Sequence, residues 1–95
     1  MAESERRVVY RIHAVQRMAE RGILEEHVAR AIAEGKVIED YPNDKPYPSR
    51  LLLGWAENRP IHVVTATAER EIIVITAYEP DPGLWEPGFE RRREK

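Results

Sequence analysis

Apolar positions in HAVQRMAERGI, residues 13–23, recur with a period near 3.6, which predicts an amphipathic helix. Ile12, Val15, Met18 and Ala19 gather on one side as its buried face, while His13, Arg17 and Arg21 recur at i, i+4 and i+8 and form a stripe on roughly the other. Gly22 supplies the stop, because a residue without Cβ takes the left-handed conformation in which helices often end. Residues 23–34 predict a second amphipathic helix, with Val28, Ala31 and Ile32 inward, Glu25, Glu26, Arg30 and Glu34 outward, and Gly35 at its close. Leu24 stands where an N-cap serine, threonine or aspartate is preferred, and Glu25 and Glu26 partly compensate through the helix dipole.

Beyond Gly35 the helical period stops. Residues 36–41, 50–56, 59–67 and 71–78 are short β-branched and apolar runs of strand character, with Glu57 and Asn58 suited to a tight hairpin turn. Between the first two runs, PNDKPYPS holds three prolines in eight residues and predicts an ordered, extended loop with Tyr47 as its anchor. Residues 6–12, RRVVYRI, suit an edge strand or a lead-in to the first helix. The apolar runs are nearly continuous, so the central strands need cover on both faces. Two helices cover one, and YEPDPGLWEPGF, with Trp85 and Phe89, is the candidate for the other. The expected fold is α+β: a short N-terminal strand, then two helices packed on a three- to four-stranded antiparallel meander. Val28, Ile32, Leu51, Leu53, Val63, Ile73 and Ile75 are its expected core.

Ninety-five residues form one domain, 1–95, with residues 1–5 and 90–95 expected as flexible ends. Hydrophobic residues are 42% and charged residues 34% of the chain, a globular composition. No cysteine is present, which excludes a disulfide framework and a Cys-based zinc site. No apolar run reaches the length of a membrane span or a signal-peptide core, so a cytoplasmic protein without a membrane partner is expected. The net charge of −2 argues against indiscriminate binding of nucleic acid. Residues 1–22, with five arginines against three glutamates, nevertheless sum to +2, as do residues 89–95, and a cationic patch forms if the two ends meet.

HAVQRMAERGI, GKVIEDYPNDKPYPSRLLLGW, RPIHVV and ITAYEPDPGLW together resemble a small bacterial domain-of-unknown-function family, over about residues 12–89. HAxxRMxxRGI and YPxxxPYPSxLLLG carry the resemblance. That family is allied to the RelE-like toxin fold, and its genes often accompany one for a small zinc-finger protein of the kind that acts as antitoxin to MqsR-like ribonucleases. The resemblance implies an RNA-cleaving toxin of a toxin–antitoxin pair with a zinc-finger-type antitoxin as partner. RelE-like toxins are usually strongly basic, and this chain departs from that.

Metal-free RNA cleavage needs a base for the 2′-hydroxyl proton, cations for the phosphorane and an acid for the leaving oxygen. His13 suits acid or base work near neutral pH, and Arg17 and Arg21 suit bidentate phosphate binding. His62, mid-strand in PIHVV, either meets His13 or is a satisfied core histidine; its burial in the core is the simpler expectation. Tyr78, at a strand end, is a candidate proton donor or a packing residue. Arg11 and Arg50 are candidate substrate contacts, and His27 reads as surface. His13, His27 and His62 show no HExxH or paired-ligand spacing, and Ser4 and Ser49 have no histidine partner by sequence, so neither metal, cofactor nor nucleophile is expected. Trp55 and Trp85 are base-stacking candidates or core. The alternative to a nuclease is a non-enzymatic module that grips RNA or an acidic protein through the His13, Arg17 and Arg21 stripe.

Overall fold

The computed structural model describes residues 6–94. In chain order it has β1 (Arg7–Tyr10), α1 (Ile12–Arg21), α2 (Glu25–Glu34), β2 (Lys36–Tyr41), β3 (Ser49–Ala56), β4 (Arg59–Thr67) and β5 (Glu71–Tyr78). Helix α1 ends on Gly22, whose φ of 66° is left-handed and whose N–H bonds to the Ala19 carbonyl. Helix α2 lacks a side-chain cap at Leu24, but His27 Nδ1 accepts the Leu24 N–H at 3.0 Å, the reciprocal half of a capping box. His27 therefore secures a helix start and is not idle surface. Gly35 closes α2 in an extended conformation.

The helices pack on one sheet of order β1-β5-β4-β3-β2. Strands β2 to β5 form the antiparallel meander, with Glu57 at φ 61° in its tight β3–β4 turn. The expectation of a three- to four-stranded, wholly antiparallel sheet needs correction. β1 joins as a fifth strand, parallel to β5 in the register Arg7↔Glu71 to Tyr10↔Val74, so the sheet is mixed. A strand that leads into a helical crossover returns parallel to one of the later strands, and residue patterns within β1 carry no trace of that.

The core beneath the helices comprises Ala14, Met18, Ile23, Val28, Ala31, Leu52, Ile61, Val63, Val74 and Ala77. The expected buried face of α1 is off by about a quarter of a turn, and of its four residues only Met18 is buried. Ala14 and Met18 face the sheet, whereas Ile12 is 72% and Val15 50% exposed, and Ala19 is exposed too. A ten-residue helix over one sheet strand buries a narrow stripe, and two small or flexible side chains suit that close approach. Val28, Leu51, Leu53 and Val63 are buried as expected, but Ile32, Ile73 and Ile75 are only partly so. A bulge after Val64 in the β4–β5 pairing leaves Ile75 out of register.

Residues 80–94 form a strap over the sheet face opposite the helices, with Trp85 buried at 3% exposure. Glu90 pairs with Lys36 at 2.9 Å and Arg92 with Glu39 at 3.0 Å. Residues 1–5 and Lys95 lie outside the described residues. Among the described residues the two basic segments do not merge, because β1 lies at one sheet edge while Arg92 reaches β2 at the other. In the proline-rich loop Tyr47 is 41% exposed and anchors little. Order there comes from Ser49 Oγ donating to Asp44 at 2.5 Å and from Thr67 N–H donating to the Pro48 carbonyl at 2.9 Å. Among the described residues no helix is long and apolar enough to cross a membrane.

Candidate functional site

The register of the meander sets Lys36 opposite Leu53, Leu53 opposite His62, and His62 opposite Tyr78. Directly paired residues share a sheet face, so these four make one row across four strands beneath the strap. A bulge between Val37 and Glu39 then places Glu39 opposite Leu51, on the same face as Lys36, although plain alternation would send it to the helix side. Two charged residues of β2 thus both meet the strap.

His62 is fully buried in this row. Its Nε2 lies 2.9 Å from the Phe89 carbonyl, which can only accept, so Nε2 carries the proton. Nδ1 is then the acceptor of the neutral ring, and Tyr78 Oη donates toward it over 3.4 Å. Tyr78 and Trp85 meet the imidazole edge-on, with centroids 5.3 and 4.5 Å away. Trp85 carries the Arg92 guanidinium over its ring at 4.7 Å, and Phe89 packs edge-on against Trp55 at 6.3 Å. Arg92 Nε and Nη2 donate to the two Glu39 carboxylate oxygens, and Tyr41 Oη donates to one of them.

Burial pushes the His62 imidazole below 6.5, against the Phe89 carbonyl and Glu39, which favour its charged form. Tyr78 is pushed above its ordinary value, first by burial and then by Glu39. Burial alone would raise Glu39, but hydrogen bonds from Arg92 and Tyr41 outweigh it and hold the carboxyl below its usual value. At neutral pH the row therefore holds a neutral histidine able to accept a proton and a tyrosine able to donate one. The same shifts set an acid limit. A histidine of lowered folded pKa contributes its full stability above the unfolded value near 6.5 and loses it as pH falls through the folded value. Denaturant midpoints measured from pH 7.5 to 4.5 are expected to fall below about pH 6.5, and the His62→Gln variant should lack that component.

The other candidates lie elsewhere. Arg21 Nη1 donates to the Ala77 carbonyl at 2.8 Å, so this arginine ties α1 to β5. Arg17 pairs with Glu20 at 3.1 Å with both side chains more than half exposed, and His13 is exposed. The expected stripe is thus divided, with Arg21 spent on the sheet and Arg17 on its own helix. Arg11, at the α1 start, is exposed. Arg50 lies 3.7 Å from Asp40 and shares a shallow cleft with Arg6, Pro48 and Thr67. The structure brings together His62 and Tyr78 and leaves them apart from His13 and Arg17. Sequence reasoning missed Lys36, Glu39 and Arg92, since only the bulge and the strap place them; Trp85 was visible as a large apolar residue. Among the described residues no group of three or more His, Asp or Glu side chains is arranged to hold a metal ion.

The family model described as "Domain of unknown function (DUF4258)" matches residues 10–79. No curated protein and no solved structure matches the chain.

Proposed function

The chain belongs to the family described as Domain of unknown function (DUF4258), and from that premise we propose that it is a RelE-like, toxin-type endoribonuclease of a toxin–antitoxin pair, cleaving RNA without a metal. The observation that supports this reading is the cross-strand pairing of a neutral histidine with a protonated tyrosine, His62 and Tyr78, on the face opposite the helices. His62 Nδ1 takes the proton of a ribose 2′-hydroxyl as that oxygen attacks phosphorus, and Tyr78 Oη protonates the departing 5′-oxygen. The products are a 2′,3′-cyclic phosphate and a 5′-hydroxyl. Lys36, in the same row, supplies charge for the phosphorane once free of Glu90. A small zinc-finger-type antitoxin is the proposed partner.

A second reading is a non-enzymatic module that grips RNA or an acidic protein through His13 and Arg17. Full burial of His62 favours it, since a sealed base meets no substrate. Purified chain incubated with RNA in EDTA separates the two. The nuclease reading expects cyclic-phosphate ends, a loss of about 10²- to 10⁴-fold in Tyr78→Phe, and near-wild-type cleavage in Arg17→Ala. Arg17→Ala should also keep its stability within about 0.5 kcal/mol, because its ion pair is solvent-exposed. RNA binding that Arg17→Ala abolishes, with no cleavage by any form, establishes the module instead.

A further inference from the structure

We propose that residues 80–94 are an intramolecular inhibitor, a strap that occupies the His62, Tyr78 and Lys36 row in place of substrate and lifts from it as a unit. The consequence for activity rests on the nuclease reading of that row; the lifting itself does not.

Three features of the strap carry this. Its polar contacts stand in for those of a phosphodiester: the Glu90 carboxylate sits on Lys36 at 2.9 Å, and the Phe89 carbonyl accepts from His62 Nε2 at 2.9 Å. Phe89 holds this carbonyl in place with a φ of 61°, a left-handed conformation that a bulky side chain adopts only under constraint. The strap is also complete without the sheet. Its backbone hydrogen bonds close within it, from Leu84 and Trp85 N–H to the Asp81 carbonyl, from Glu86 to Arg91, from Phe89 to Glu86 and from Arg93 to Leu84. Arg93 Nε bonds to the Pro82 carbonyl, and Arg92 stacks on Trp85, so these contacts travel with it. What holds it to the sheet is Trp85, the Phe89 contacts and the two ion pairs to Lys36 and Glu39. Third, the family match stops at residue 79, where the strap begins. Glu79 and Pro80 join them, and the proline limits bending to few bonds. Lifting would uncover the His62 ring, release its Nε2 and free Lys36 without breaking a ladder hydrogen bond of the sheet, while Nδ1 keeps its place beside Tyr78.

The test uses the full chain and diethyl pyrocarbonate, which acylates accessible imidazoles, with modified peptides read by mass spectrometry. Exposed His13 is the internal reference. In the unaltered chain His62 should react at least tenfold more slowly than His13. Arg92→Gln and Glu90→Gln, which loosen the strap and leave the row intact, should raise the His62 rate and RNA cleavage at least fivefold, with the far-UV spectrum unchanged. A Glu39→Cys, Arg92→Cys pair joined by a cleavable bismaleimide should suppress both, and cleaving the linker should restore both; the chain has no other cysteine. A His62 rate unchanged by the tether and by both loosening variants overturns the strap's lifting. Cleavage unchanged in the tethered chain overturns inhibition. If the His62 rate follows the tether while RNA stays whole in every form, the strap lifts as proposed and the nuclease reading alone falls.

Discussion

Trp85→Ala should destabilise the chain by about 3–5 kcal/mol, the loss typical of emptying a large aromatic site. Trp85 is 3% exposed, meets the His62 ring edge-on at 4.5 Å and bears Arg92 on its outer surface. Removing the indole leaves a void against His62 and takes away the main apolar anchor of the strap. In a domain this small each kcal/mol is worth roughly 4–8 °C, so a fall in Tm of more than about 12 °C is expected by calorimetry. His62 should then react with acylating reagents as readily as His13. A loss under about 1 kcal/mol would show that the indole contributes little to the fold, and that the polar ties hold the strap.

Gly54→Val comes next in size. A Cβ at Gly54 would lie 2.6 Å from Ala31 Cβ and 3.0 Å from Ala31 Cα, and neither atom belongs to a flexible side-chain end. Helix α2 must move off β3, opening the layer that Val28 and Leu52 fill. Overpacking of this kind costs roughly 1–3 kcal/mol and sometimes more, and a β-branched side chain against a helix backbone belongs at the upper end. Urea denaturation of Gly54→Val and Gly54→Ala should rank valine as the worse. Equal stability of both variants and the parent chain would mean that the two layers are not in the contact described.

Much of the fold was legible because it rests on local physics. Gly22 stops α1 wherever the chain goes, and the prolines of residues 42–49 exclude regular structure by their own geometry. Near-continuous apolar runs in β3 and β4 required cover on two faces, and Trp85 and Phe89 supply the second. His62 also behaves as residue order suggests, facing away from Ile61 and Val63, with both ring nitrogens engaged.

What the residues did not disclose depends on partners distant along the chain. The apolar stripe of α1 was placed about a quarter of a turn off, because Ile12, Val15 and Ala19 are as apolar as the positions that β5 covers, and only docking chooses between them. Arg21 belonged by period to a solvent stripe, yet the Ala77 carbonyl, 56 residues away, claims its guanidinium. The candidate site shows the same division. Helix ends, turns and the demand for two covered faces are set by near neighbours and by the amount of apolar surface, and the sequence by itself determined them. The parallel placement of β1, the bulge that turns Glu39 toward Arg92, and the strap that seals His62 between Tyr78 and Trp85 were decided only in the tertiary structure, since each arises from contacts between segments that no local pattern relates.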